Sequence, residues 1–450
     1  YAGGTTVTGG TLAITSEAAL GSGALSFTNA SGGVGMLRVA NDITVSNAIN
    51  INGAAAGSAT AGVIESTGNN SLLGLINWNV AGGTHASIVS QSGLLTLDGN
   101  FTTTSPVTGT RTLNLGGAGD INVNGAITNG AATVSLAKGG PGTLTLTEQN
   151  SHTGATIVNE GALLVNGSTV ASATTVTSGA ILGGTGSVGT VTVQPGGILA
   201  PGTSVGALNA ANTTIDGTFA VEIADAANAD RLNASSSVTL AGPLTLAAPA
   251  DLPAGTVFTI VNKTSAGAVS GTFAGKPQNS MFTESGNTWI VSYTGGDGND
   301  VTLTVASPQQ QWLWANFGTD WNNAAVAGDL VDLDLDGLAN LIEYATGTDP
   351  GVANPTATQG ATDGGKLKIS FTRNTAATDT TLSVTAADTL DGSWTEIARS
   401  VNGAAFTATA PGVTVIESGT NPAMDVQVTD HVLIADPQHP KRFMRLEARR

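Results

Sequence analysis

Apolar positions recur in a fixed phase through residues 157–200. The segments "IVNEGALL" at 157–164, "VTSGAILG" at 176–183 and "VQPGGILA" at 193–200 align without gaps. The alignment places Val158, Val176 and Val193 in one column, and Leu163, Ile181 and Ile198 in another. Each copy holds two short alternating stretches around a glycine-bearing turn, a pattern of half-buried strands rather than helix. A repeat this short, which keeps the same side chain at the same phase, predicts a β-solenoid whose rungs stack about 4.8 Å apart. A sandwich would give short strands without that constancy.

A longer match links 1–14 to 152–165. Gly3, Val7, Gly10 and Leu12 correspond to Gly154, Val158, Gly161 and Leu163. "GTLTLTEQNS" precedes the second copy at 142–151, whereas the first copy opens at Tyr1. The first copy therefore reads as half a unit, and Tyr1 is expected to be an internal position of a longer precursor.

The pattern changes after Val305. In "SPQQQWLWANFG", Pro308 suits a first helical turn, and Trp312, Leu313 and Phe317 recur at helical spacing. "ANLIEYATGTDPG" reads as a second short helix stopped by Gly347 and Pro350. Trp312, Trp314 and Trp321 could form a sugar-binding platform. Packing against the last solenoid rung, which would otherwise expose strand edges, is the expected role. Residues 352–365 are polar and read as a linker. Six alternating segments follow, from "LKISFTRN" to "RFMRLEARR", and suggest an immunoglobulin- or fibronectin-like β-sandwich. The predicted class is all-β: a solenoid over 1–305, a helical junction over 306–351, a linker over 352–365 and a sandwich over 366–450.

Composition narrows the function. Acidic residues outnumber basic ones 32 to 15, and the net charge of -17 argues against nucleic-acid binding through phosphates, which needs clustered cations. There is no cysteine, so disulfide and thiolate chemistry are excluded. No apolar run is long enough to cross a membrane as a helix, and "YAGGTTVTGG" has neither part of a signal peptide. Five of the fifteen basic residues are Lys441, Arg442, Arg445, Arg449 and Arg450. They could form a polyanion patch. The expected arrangement puts some of them on the solvated face of a last strand whose Met444, Leu446 and Ala448 face the core.

Charged residues make up only 10% of the chain, yet "DLDLDGLANLIE" at 332–343 crowds carboxylates together. Numbered from its first residue, the segment has Asp332, Asp334 and Asp336 at positions one, three and five. Gly337 at six allows a sharp turn, Leu338 at seven offers its carbonyl, Asn340 at nine acts directly or through water, and Glu343 closes at twelve. A hard dication needs six to eight oxygens, and this is the ligand order of an EF-hand calcium loop. The segment also resembles the loops of dockerin modules and thrombospondin-type repeats. Ala339 at position eight and the absence of a second loop suit a structural calcium site better than a sensor.

"KGGPGTLTLTEQNSHTGATIVNEGALLVNG" resembles the autotransporter-associated β-strand repeat of bacterial surface passenger proteins. It supplies Gly140, Gly142, Leu144, Leu146, Asn150, Thr153, Gly154, Thr156, Gly161 and Leu163, with His152 where that family usually has tyrosine. "GGILAPGTSVGALN" at 196–209 and "SYTGGDGNDVTLTV" at 292–305 are also similar to passenger sequence. The resemblance implies a right-handed β-helix exported to the cell surface and no particular ligand. "GGDGND" at 295–300 is half of a calcium nonapeptide in one copy, and a turn between strands is the expected role.

No catalytic set stands out. The densest solenoid group is Glu222, Asp225 and Asp230 beside Arg231, and His85, His152, His431 and His439 are isolated. The expected protein is a non-catalytic extracellular structural or adhesive protein with one structural calcium ion. Self-association or a cell-surface polysaccharide would be its partner. A secreted carbohydrate-active enzyme built on the solenoid, and a carbohydrate-binding module carried by the sandwich, are the alternatives.

Overall fold

A computed structural model describes residues 2–30, 33–52, 63–79, 84–354 and 357–450. The chain forms two compact units, Tyr1–Thr304 and Val305–Arg450.

The first unit is a parallel β-solenoid. Each turn of the chain visits successive sheets and returns to lie beside its own earlier strand; among the described residues the longest sheets hold 13 and 10 strands. Stacking runs in register. Val158 lies on Val176 and Val176 on Val193, as the alternation requires, and all three are fully buried.

The second aligned column is different. Leu163 pairs with Leu182, and Leu182 with Leu199, all fully buried. Ile181 and Ile198 stand one residue earlier, half exposed, in a column with Ala162. The turns at Thr177–Ala180 and Gln194–Gly197 carry one more residue than the turn at Asn159–Gly161. A gapless alignment therefore slips by one, and in a strand a one-residue slip exchanges the inward and outward faces. Rung length also varies: the successive partners Leu95, Ile121 and Leu144 lie further apart in sequence than Leu144, Leu163, Leu182 and Leu199.

Glycine serves the corners. A Cβ on Gly99 would lie 1.8 Å from the carbonyl oxygen of Gly74, and one on Gly125 would lie 2.2 Å from that of Gly99. Rung backbones meet there too closely for any side chain, which is one reason a chain with 61 glycines can stack this way. Buried polar groups are largely satisfied by the backbone. Lys138 Nζ donates to the carbonyls of Gly139, Gly140 and Glu160, and Lys263 Nζ to those of Ser265, Ala266 and Gly267.

The end of the solenoid nearest residue 305 is closed by strands. Val257–Lys263 is the last parallel member of its sheet. Asp300–Val305 pairs with it antiparallel, and Asn287–Gly295 and Met281–Glu284 extend the sheet beyond. "GGDGND" provides the turn between two of these strands. Several of the chain's few aromatic residues gather here: Phe219 stacks on Phe273, Phe273 meets Tyr293, and Phe258 meets Trp289 edge-on.

Among the described residues, the second unit holds two α-helices and two four-stranded antiparallel sheets. Helix α1 (Pro308–Phe317) starts with a full capping box between Ser307 and Gln310. Helix α2 (Asn340–Thr346) ends at Gly347, whose left-handed φ of 80° lets its N–H reach the Glu343 carbonyl. The six expected strands are present, and the two sheets share one core that includes Ile369, Phe371, Val384, Ile397, Val426 and Val428. Met444, Leu446 and Ala448 pack against that core, as their alternation predicts. Two further strands appear: Thr407–Ala408, and Thr358–Asp363 within the stretch read as a linker. Thr358–Asp363 pairs along its length with Lys366–Phe371. It is polar on both faces because nothing covers either, so its sequence carries no strand alternation. Trp312 packs within the second unit, against Tyr344 and Phe317, Trp321 is buried, and Trp314 is half-buried.

Candidate metal centre

The acidic loop leads directly into α2. No helix enters it, since residues 321–339 are turns, bends and irregular backbone. The loop is shaped by its own carboxylates. Asp332 accepts from the N–H groups of Asp336 (3.2 Å) and Gly337 (2.9 Å), Asp334 from that of Asp336 (3.1 Å), and Asp336 from that of Leu338 (2.8 Å). Leu335 and Gly337 both have positive φ, 62° and 93°. Glycine tolerates this, while a leucine does so at a cost of about 1 kcal/mol. The result gathers Asp332, Asp334 and Asp336, each half-buried, with ligand oxygens within 4.8 Å of one another.

Glu343 projects from the first turn of α2. It is not in that tight group, but it feels all three aspartates. Burial, reinforced by the charges of Asp334, Asp336, Asp332 and Asp349, pushes its carboxyl up to about 7. It is 1% exposed, and neither carboxylate oxygen has a hydrogen-bond partner. Asn340 is equally buried. Its Nδ2 donates to the carbonyls of Val326 and Gly328, both at 2.9 Å, which fixes the amide orientation and leaves Oδ1 without a partner. Asp334 Oδ2 is also unpaired.

Four buried oxygens of this loop and helix turn therefore lack partners, and every one is an acceptor. Leaving such groups unmade costs on the order of 1–3 kcal/mol each. Acceptors of this kind are what a hard cation binds, and an oxygen-only set with several carboxylates is of the type that calcium takes. The donor set fits that ion. Of the six residues expected from spacing, Asp332, Asp334 and Asp336 are brought together, and Asn340 and Glu343 present free oxygens. Leu338 is held through its N–H by Asp336.

Other supports were not legible from spacing. Asn354 donates its N–H to Asp336 Oδ2, and Asp349 adds to the field at Glu343. Tyr344 donates to Asp379 Oδ1 (2.6 Å), and Asp379 Oδ2 accepts from Gln309 N–H, which ties α2 to the start of α1. Asp349 and Asn354 lie beyond a glycine-stopped helix, and only the fold returns them to the loop.

The solenoid's acidic group is organised differently. Asp230 is buried, with Oδ1 accepting from Gly206 N–H (2.9 Å) and Oδ2 from Glu222 N–H (2.8 Å). Burial pushes it up to about 6. Asp225 closes its own turn through Ala227 and Asn228. Both carboxylates are occupied in shaping backbone.

Among the described residues, no helix is long and apolar enough to cross a membrane. No curated protein matches the chain by sequence. Residues 1–14 and 136–165 match the family model of the passenger-associated-transport-repeat, and with the parallel stacking around them this match supports a β-helix of autotransporter type for the first unit.

Proposed function

We propose that this protein is a non-catalytic structural or adhesive component of the bacterial cell surface, with a second unit ordered by one calcium ion. The transport repeats and the β-solenoid support the surface assignment. The calcium assignment rests on one observation: the buried, unpartnered carboxylate of Glu343 set beside three convergent aspartates. In this reading Asp332, Asp334, Asp336 and Glu343 hold the ion, with Leu338 contributing its carbonyl and Asn340 its free oxygen. The ion converts mutual repulsion into attraction and fixes α2 against the sheets. A structural role fits a single loop with no partner loop, and affinity on the order of 10⁻⁴–10⁻³ M suffices outside cells. Titration calorimetry of the full chain with calcium tests it. A saturable heat at one ion per chain, abolished in Asp334→Ala, is expected; no heat, or heat unchanged in that variant, sinks the assignment.

A further inference from the structure

The two sheets of the second unit do not close on one side. Helix α2 packs there against Lys366–Asn374 and Phe443–Arg449. Past the helix a cleft of about 700 Å³ remains, lined by Thr358–Thr362, Leu367, Ile369, Phe443 and Met444. Leu367 and Met444, on the core-facing alternation of their strands, stay half exposed, and Gln359–Asp363 is exposed throughout. Phe443–Arg449 is the terminal strand of its sheet, paired on one side only. The cleft thus has an apolar wall and a free row of backbone donors and acceptors, which together take an added strand rather than a compact small molecule.

The rim has a sign. Lys368 and Arg442 line the cleft, and Lys366 and Lys441 adjoin them in the chain, four of the fifteen basic residues in a chain of net charge -17. Arg442 is engaged by Asp430 and Asp388. Among the described residues Lys366, Lys368 and Lys441 have no ion-pair partner. Charge on an edge also repels unwanted strands, so a cationic rim selects the strand it admits.

We propose that this cleft receives an extended acidic peptide segment as an additional strand along Phe443–Leu446, its alternate side chains filling the space over Leu367 and Met444. This surface is independent of the calcium assignment.

The test uses the full chain and an acetylated octapeptide of alternating valine and glutamate, with the valine–lysine peptide as control. Calorimetry is expected to show salt-sensitive binding of the glutamate peptide alone. Hydrogen exchange at the amides of 443–446 should slow on binding. Lys368→Glu with Lys441→Glu, with an unchanged circular dichroism spectrum as the check on folding, should weaken binding tenfold or more. The proposal is overturned if neither peptide binds, if both bind equally, if protection appears elsewhere, or if polygalacturonate binds at 443–446 while the peptide does not.

Discussion

Glu343→Gln separates a metal ligand from an ordinary buried acid by the sign of its effect. The change keeps shape and volume and removes the charge. Without calcium, the native carboxyl titrates near 7 against 4.5 for its reference state. The folded state therefore binds the proton more tightly, so metal-free stability is highest in acid and falls as pH rises from about 4.5 through 7. At 1.36 kcal/mol per unit the loss above pH 7 is roughly 3 kcal/mol. Glutamine does not ionise and escapes it. In a chelator at pH 8 the variant should be more stable than the parent by up to ~3 kcal/mol, roughly 6–12 °C for a unit of this size. With calcium present the order should reverse, because the parent gains a ligand that the variant lacks. Thermal unfolding followed by near-ultraviolet circular dichroism, in chelator and in millimolar calcium at pH 5 and 8, gives the comparison. A variant less stable than the parent in chelator at pH 8 would mean that the carboxylate has a partner. Equal stabilisation of both proteins by calcium would remove Glu343 from the ligand set.

Asn340→Ala removes the donor to Val326 and Gly328 and should loosen the loop with or without calcium, seen as faster proteolysis near residue 328. His152 is fully buried in the solenoid with Nε2 on Thr156, and burial lowers it to about 4. Its contribution is complete above pH 6.5 and is lost as pH falls toward 4, roughly 3 kcal/mol in all; an acid titration of the first unit that is unchanged in His152→Phe would refute this. Leu163→Ala empties a fully buried column position and should cost about 2–5 kcal/mol, measurable by urea unfolding. Gly99→Ala forces a Cβ against the Gly74 carbonyl and should destabilise by about 3 kcal/mol or more, whereas Gly179→Ala, which meets nothing, should incur only the cost of its positive φ.

Sequence alone determined what local spacing encodes. Valines 158, 176 and 193 stack because each is the inward residue that closes its short strand, ahead of the turn whose length varies, and the two helices announce themselves by Pro308 and Gly347. The three aspartates converge because their separation is set within one loop. Tertiary structure decided whatever depends on groups distant in the chain. It decided which of Ile181 and Leu182 faces inward, since one extra turn residue changes the face without changing the composition. It made a strand of Thr358–Asp363 through pairing with Lys366–Phe371, with no apolar alternation to reveal it. It also left the carboxylate of Glu343 buried and unanswered. A sequence shows that a carboxylate is present; only the fold removes the water that would otherwise satisfy it.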